Sequence, residues 1–196
     1  MADRLCVLFA GNAGHGKDTV ANMMADVCRQ RGLSPLRLAF ADPIKDIAVH
    51  LLGIPKSVSY GTQEDKLNYK VYGKTARHWL QWIGTELGRD QVHKDIWIER
   101  FAQRALESDA RVIIGSDCRF PNERAVTREL LGGEMGLVIV KINNPRVPVN
   151  LDHESESLVF NTPDSEFDHI IHNSSSLSDL MSDVEDLASK LLAQVS

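Results

Sequence analysis

The stretch LCVLFAGNAGHGKDTVANMM, residues 5–24, holds the residues best placed for chemistry. Gly11, Gly16 and Lys17 stand at G-x-x-x-x-G-K spacing, the pattern of a phosphate-binding loop. Glycines let backbone N–H groups turn toward an anion with no side chain in the way. A following helix adds the partial positive charge of its N-terminus, and the lysine adds a full one. Gly14 relaxes the bend further, with His15 beside it. The position after the lysine, where Ser or Thr is usual, holds Asp18, and the hydroxyl arrives one place later as Thr19. A carboxylate there could touch Mg²⁺ directly or through water, or it could simply open the helix, where negative charge is favoured. The pattern is that of a variant phosphate loop, still able to hold an anion.

Such a loop needs a strand before it and a helix after it. Residues 5–10 are a wholly apolar run, as in a strand covered on both faces. Val20, Met23, Met24 and Val27 then recur at helical spacing, the buried face of the next element. A second short strand is predicted at Leu36–Phe40, followed by a helix from DPIKDIAVHLLG with Pro43 in its first turn and Gly53 at its end. Further helices are predicted over about 75–88, 95–107 and 121–131, and strands over 111–117, 137–142 and FDHIIHN. Leu177, Leu180, Met181, Val184, Leu187, Leu191 and Leu192 form the stripe of a closing helix, capped by Ser176 and Asp179. Residues 53–75 and 143–166 show no sustained period and are expected to be irregular, mobile segments over the site. The alternation predicts an α/β fold, an open parallel sheet with helices on both faces, within a single domain.

In such a sheet, ligands gather beyond the carboxyl ends of the strands. Three segments meet that condition besides the loop: ADPIKD, with Asp42, Lys45 and Asp46; SDCRFPNE, with Asp117, Arg119 and Glu123; and NNPR followed by DHESE. An arginine there can fork onto a phosphate, and an aspartate can position Mg²⁺ or a hydroxyl. Asp117 and Arg119 also fit a plain loop ion pair, and Lys45 and Asp46 an exposed helix face. Trp79, Trp82 and Trp97 fall within nineteen residues, alongside Arg77 and Arg89. Core packing explains Trp79 and Trp82, although aromatic and arginine together also suit a stacked nucleobase. His169 and His172 point to opposite faces of their strand and make a poor metal pair. Cys118 has no base beside it and reads as inert.

Composition narrows the class. The 196 residues carry a net charge of −5 and no long basic run, which argues against a dedicated nucleic-acid binder. Three cysteines, Cys6, Cys28 and Cys118, share no metal-ligand spacing and fit a reduced, cytoplasmic compartment. No stretch approaches a membrane span, and the apolar N-terminal run is too short for a signal peptide.

GNAGHGKDTVA, LAFADPIKD, RHWLQWIGTELGRD with DIW, SDCRFPNE and HESE occur in this order. That succession resembles the deoxynucleoside monophosphate kinases of T-even phage type, a branch of the P-loop nucleotide kinases that also resembles dephospho-CoA kinase. The resemblance runs over about residues 5–180, and the GKDT form of the loop is one of its traits. It implies a P-loop NTPase three-layer fold with a central parallel sheet of about five strands. It also implies transfer of the ATP γ-phosphoryl group to a deoxynucleoside 5′-monophosphate, with Mg²⁺. Gly11, Gly14, His15, Gly16, Lys17, Asp18 and Thr19 would hold ATP, with Asp18 and Thr19 toward the metal. Lys17, Arg77 and Arg119 would be catalytic. Asp42, Lys45, Arg77, Gly84, Trp97, Asp117, Arg119, Glu123, His153 and Glu156 would line the acceptor site, the acidic pair Asp117 and Glu123 reading base or sugar and Trp97 packing against the nucleotide. No stable nucleic-acid or membrane partner is expected; related enzymes form dimers, so a homodimer and a host-cytoplasm location for a phage-encoded chain follow by resemblance.

The chain departs from that type in a much shorter segment between its second strand and Arg77, where the acceptor is enclosed. Lys66, Tyr69, Lys70 and Tyr72 lie there and could form a partial cover. A kinase for dephospho-CoA or a modified pyrimidine nucleotide, or a nucleotide-dependent switch without catalysis, would use the same loop. A kinase acting on bases within DNA is disfavoured by the negative net charge.

Overall fold

The structure, a computed structural model, describes residues 3–149, 154–193 and 195. In chain order its elements begin with β1 (Leu5–Ala10), α1 (Lys17–Gln30), β2 (Leu36–Leu38) and α2 (Asp42–Leu52), then the short helices α3 (Lys56–Ser59) and α4 (Gln63–Asn68). A hairpin of β3 (Lys70–Val71) and β4 (Lys74–Thr75) leads to α5 (Ala76–Trp82), which runs on as a π-helix, Ile83–Asp90. There follow α6 (Ile96–Glu107), β5 (Val112–Cys118), α7 (Pro121–Leu131), β6 (Gly136–Asn143), α8 (Glu154–Asn161), β7 (His169–His172) and α9 (Leu177–Leu192). The chain divides into two compact units, Met1–Ala39 with Phe101–Ser196, and Phe40–Arg100.

In the first unit β2, β5, β1, β6 and β7 form a parallel sheet in that spatial order. β1 lies in the middle with every residue buried, which is why its sequence does not alternate. Leu5, Val7 and Phe9 join Val20, Met24 and Val27 of α1 and Leu180, Val184, Leu187 and Leu191 of α9 in one core. Each such side chain contributes roughly 1.5–3 kcal/mol when fully buried. Leu8 points to the opposite face, where it and Phe101 crowd the backbone of Gly115. The register pairs Ala10 with Cys118 on one side and with Lys141 on the other. The chain therefore leaves β1, β5 and β6 at the same edge of the sheet.

Most predicted elements of this unit are found within a residue or two of their expected limits. The strand expected over Leu36–Phe40 stops at Leu38. The stretch 143–166, expected to be irregular, contains α8 and a 3₁₀ turn, Asp164–Glu166. Among the described residues no helix is long and apolar enough to cross a membrane.

The second unit replaces the irregular stretch expected over 53–75 with α3, α4 and the β3–β4 hairpin. Helices of four and six residues are too short to display a hydrophobic period. Local chemistry fixes α4 instead: Thr62 Oγ1 accepts the Asp65 N–H, and the Asp65 carboxylate accepts the Thr62 N–H. The core of this unit is Ala48, Ile54, Ala76, Ile83 and Trp97, flanked by Ile44, Trp79, Leu80 and Trp82. Trp79 and Trp82 meet edge to face, centroids 5.9 Å apart, and Trp79 Nε1 donates to the Val71 carbonyl at 2.9 Å.

Trp97, expected to pack against the nucleotide, lies in this core. It is 6% exposed, and its Nε1 donates to the Gly84 carbonyl at 2.8 Å. The indole covers Gly88 so closely that a Cβ there would stand 2.2 Å from Cζ2. The ring is thus held on its N–H and against Gly88 by the core of this unit. Gly84 and Gly88 of the motif are the floor and wall of its slot. Gly88→Ala should therefore destabilise the protein by about 1–3 kcal/mol through overpacking, read as a lower urea midpoint.

Candidate functional site

The predicted phosphate loop is formed where β1 passes into α1. Gly16 has φ 97°, a conformation L side chains rarely adopt, and a Cβ there would stand 2.5 Å from Asn173 Nδ2. That amide, just beyond β7, donates to the His15 carbonyl at 3.1 Å. His15 Nδ1 accepts the Asn144 N–H at 3.2 Å, just beyond β6, so the imidazole proton resides on Nε2 when the ring is neutral. The loop is thus tied to the ends of two further strands. Asn173 was missed in the sequence, although its place directly after the last strand would have found it.

Lys17 opens α1 at 7% exposure, its Nζ donating to the Asn12 carbonyl at 2.8 Å. Burial, reinforced by the Arg119 guanidinium, lowers its pKa to about 8, while Glu156, Asp18 and Asp117 pull the other way. Glu156, from α8, is the anion that meets these cations. Its Oε1 accepts from Arg119 Nη1 at 2.6 Å, and its Oε2 from the Ala13 N–H at 2.7 Å and Asn12 Nδ2 at 3.0 Å. Burial pushes its pKa up, but the Ala13 and Asn12 donors with Arg119 and Lys17 outweigh this and hold the group below its ordinary value. Asn12 Nδ2 also donates to the Glu156 carbonyl at 2.8 Å.

Arg119 follows β5, and Glu123 fixes its backbone: Oε2 accepts the N–H of Arg119 at 2.6 Å and of Phe120 at 2.9 Å. Glu123, expected to read base or sugar, thus caps the start of α7 through Oε2. Cys118 is fully buried, its thiol pKa raised well above the ordinary value chiefly by burial, in line with an inert role. Asp18 is 83% exposed, yet its Oδ1 accepts from Ser116 Oγ at 2.6 Å and lies 3.6 Å from Arg37 Nη2. Ser116 and Arg37 carried no signal in the sequence.

The structure therefore brings together Gly11, Gly14, His15, Gly16, Lys17, Asp18, Thr19, Asp117, Arg119, Glu123 and Glu156 in the first unit. Asp42, Lys45, Arg77, Gly84 and Trp97 belong to the second. There Lys45 Nζ lies 3.5 Å from Asp42 Oδ1 and 4.8 Å from the Tyr60 ring centroid. Arg77 Nη1 donates to Gln63 Oε1 at 3.2 Å. Burial lowers the Lys66 pKa, and Lys45 and Arg77 lower it further. His153 lies outside the described residues.

Loop N–H groups, a helix N-terminus, a buried ammonium and a guanidinium at one place make a site for a multiply charged anion. A hard cation also fits the donor set. Mg²⁺ in nucleotide sites takes one or two protein oxygens and completes its shell with phosphates and water, and Asp18 and Thr19 would be the residues to supply them.

No protein-family model matches the chain. It is 31% identical over 159 residues to a protein of Acanthamoeba polyphaga mimivirus named "Putative deoxynucleotide monophosphate kinase", covering 74% of this chain and 77% of that one. It is 27% identical over 206 aligned positions to the deoxynucleoside-5′-monophosphate kinase of Escherichia phage T5, covering 75% and 82%. Among solved structures, Mycobacterium tuberculosis APS kinase CysC in complex with AMPPNP and APS superposes with a TM-score of 0.53 at 13% identity, over 100% of this chain and 99% of that one. The chain has the P-loop NTPase fold. It belongs to the deoxynucleoside monophosphate kinase family.

Removing the Glu123 carboxylate strips two N–H groups of their acceptor. Glu123→Ala should lower stability by roughly 1–2 kcal/mol, as loss of a helix cap does, measured by chemical denaturation.

Proposed function

We propose that this protein transfers the γ-phosphoryl group of ATP to a deoxynucleoside 5′-monophosphate, giving ADP and the diphosphate. The observation that carries the reading is the convergence of Lys17 and Arg119 on the phosphate loop of a chain in this family. The loop N–H groups and the α1 N-terminus hold the ATP phosphates, and Lys17 and Arg119 neutralise charge spreading over the moving phosphoryl group. Asp18 and Thr19 would hold Mg²⁺, which would supply further charge neutralisation. Arg77 and Lys45 bind the acceptor phosphate, and Asp117 contributes to its sugar or base. The acceptor oxygen attacks phosphorus, the bond to the ADP oxygen breaks, and positioning of the two nucleotides in line does most of the work. Exclusion of water from the loaded site keeps the phosphoryl group for the acceptor. The setting is the cytoplasm.

A coupled ADP-release assay with ATP and Mg²⁺ should show turnover with one or more deoxynucleoside monophosphates. Silence across all of them, with turnover on dephospho-CoA, would overturn the acceptor assignment. Lys17→Ala should reduce kcat by at least ~10³-fold with the fold intact by circular dichroism; retention of most activity would refute the loop assignment.

The pH profile supplies a separate check. With its pKa at about 8, Lys17 is mostly charged at neutral pH and loses its proton as pH rises through that value. The kcat/KM for ATP should therefore fall above about pH 8. Bound phosphates favour the ammonium, so the limb in kcat should lie at higher pH.

A further inference from the structure

The Glu156 carboxylate holds the same kinds of donor that a terminal phosphoryl group requires. It takes the Ala13 N–H from the phosphate loop and Nη1 of Arg119 from the end of β5, at 2.7 and 2.6 Å. Its side chain is 6% exposed. Carboxylates and phosphoryl oxygens are both compact anions that form short, charge-assisted bonds to such groups, and they repel each other when they share them. Water does little to screen that repulsion in a buried site.

We propose that Glu156 is an internal anion that exchanges with the γ-phosphoryl group of ATP. It holds Arg119 and the Ala13 N–H in position, then yields these donors to the terminal phosphoryl oxygens as the nucleotide binds. The proposal rests on the kinase reading, in which Lys17 and Arg119 receive that group.

The local geometry suits such an exchange. Asn12 Nδ2 donates both to Glu156 Oε2 at 3.0 Å and to the Glu156 backbone carbonyl at 2.8 Å. The carboxylate can swing away by rotation about its own side-chain bonds while the backbone bond keeps α8 docked on the loop. Arg119 can stay where it is, because Glu123 fixes its backbone independently. One anion replaces another, and the two neighbouring cations remain compensated throughout. Nucleotide selectivity follows: a diphosphate lacks the group that competes with Glu156, so ADP binds without requiring the exchange.

Isothermal titration of the full chain with Mg²⁺ and a non-hydrolysable ATP analogue, and separately with ADP, tests this. Glu156→Gln keeps the size of the side chain and an acceptor for the Ala13 N–H but removes the competing charge. It should tighten the ATP analogue by about tenfold, the scale of one charged hydrogen bond, and shift ADP by less than about threefold. A structural strut would behave oppositely, with both nucleotides weakened together. An unchanged or weakened affinity for the analogue overturns the exchange. Should the glutamine variant not fold, Glu156→Asp withdraws the charge by one methylene, and the same preference should shift in the same direction by a smaller factor; no shift overturns the exchange. Failure of the wild-type chain to bind either nucleotide removes the kinase reading itself, and the exchange with it.

Discussion

Two cations facing one phosphate loop, one of them buried, impose the constraint on which this site depends. Burial disfavours the charge on Lys17, and the Arg119 guanidinium disfavours it further. Such a pair persists in a folded protein only if anions stand beside it. Glu156 supplies the nearest, with Asp18 and Asp117 contributing to the field at Lys17. The same imbalance that makes the arrangement demanding to fold makes it selective for phosphate.

The scaffold meets the demand through register. Because β1 is central and pairs Ala10 with both Cys118 and Lys141, the loops that follow β1, β5 and β6 are released at one edge. Side chains then set the loops to shape. Glu123 takes the two N–H groups around Arg119, and the amide of Asn173 and the imidazole of His15 fasten the phosphate loop to the ends of β7 and β6. Glycine permits the left-handed turn at Gly16, but these bonds select one conformation from those glycine allows.

What could be read in the chain was what is local. The apolar run of β1, the glycine spacing, the stripe of α9 and the Ser176 cap are each complete within one loop, strand or helix, and each was found. The 53–75 region failed for the converse reason, since α3 and α4 are shorter than the period by which helices are recognised. Pairings across the chain were equally hidden. Asn12 and Glu156 are 144 residues apart, and nothing in HESE says which loop its glutamate will meet. Trp97 shows the limit from another side. Aromatic and arginine residues in one stretch serve a stacking site and a core equally well, and the core packing of Trp97 on Gly88 is visible only in three dimensions.

Asp18 illustrates how a motif variation can be resolved by its neighbours. In place of the usual hydroxyl the loop carries a carboxylate at the first turn of α1, where the helix N-terminus favours negative charge. Ser116, near the end of β5, donates to it, and Arg37 of β2 donates to the same serine oxygen at 2.9 Å. The hydroxyl missing from the loop is therefore present in space, contributed by another strand and hydrogen-bonded to the residue that displaced it. Serine carries one O–H donor, and here that proton points at Asp18, so its oxygen is available as an acceptor. A carboxylate oriented in this way, largely exposed yet fixed at one oxygen, suits a cation that keeps most of its water. The two readings left open by the sequence, a metal-facing group and a helix-opening charge, are on this geometry compatible properties of one side chain.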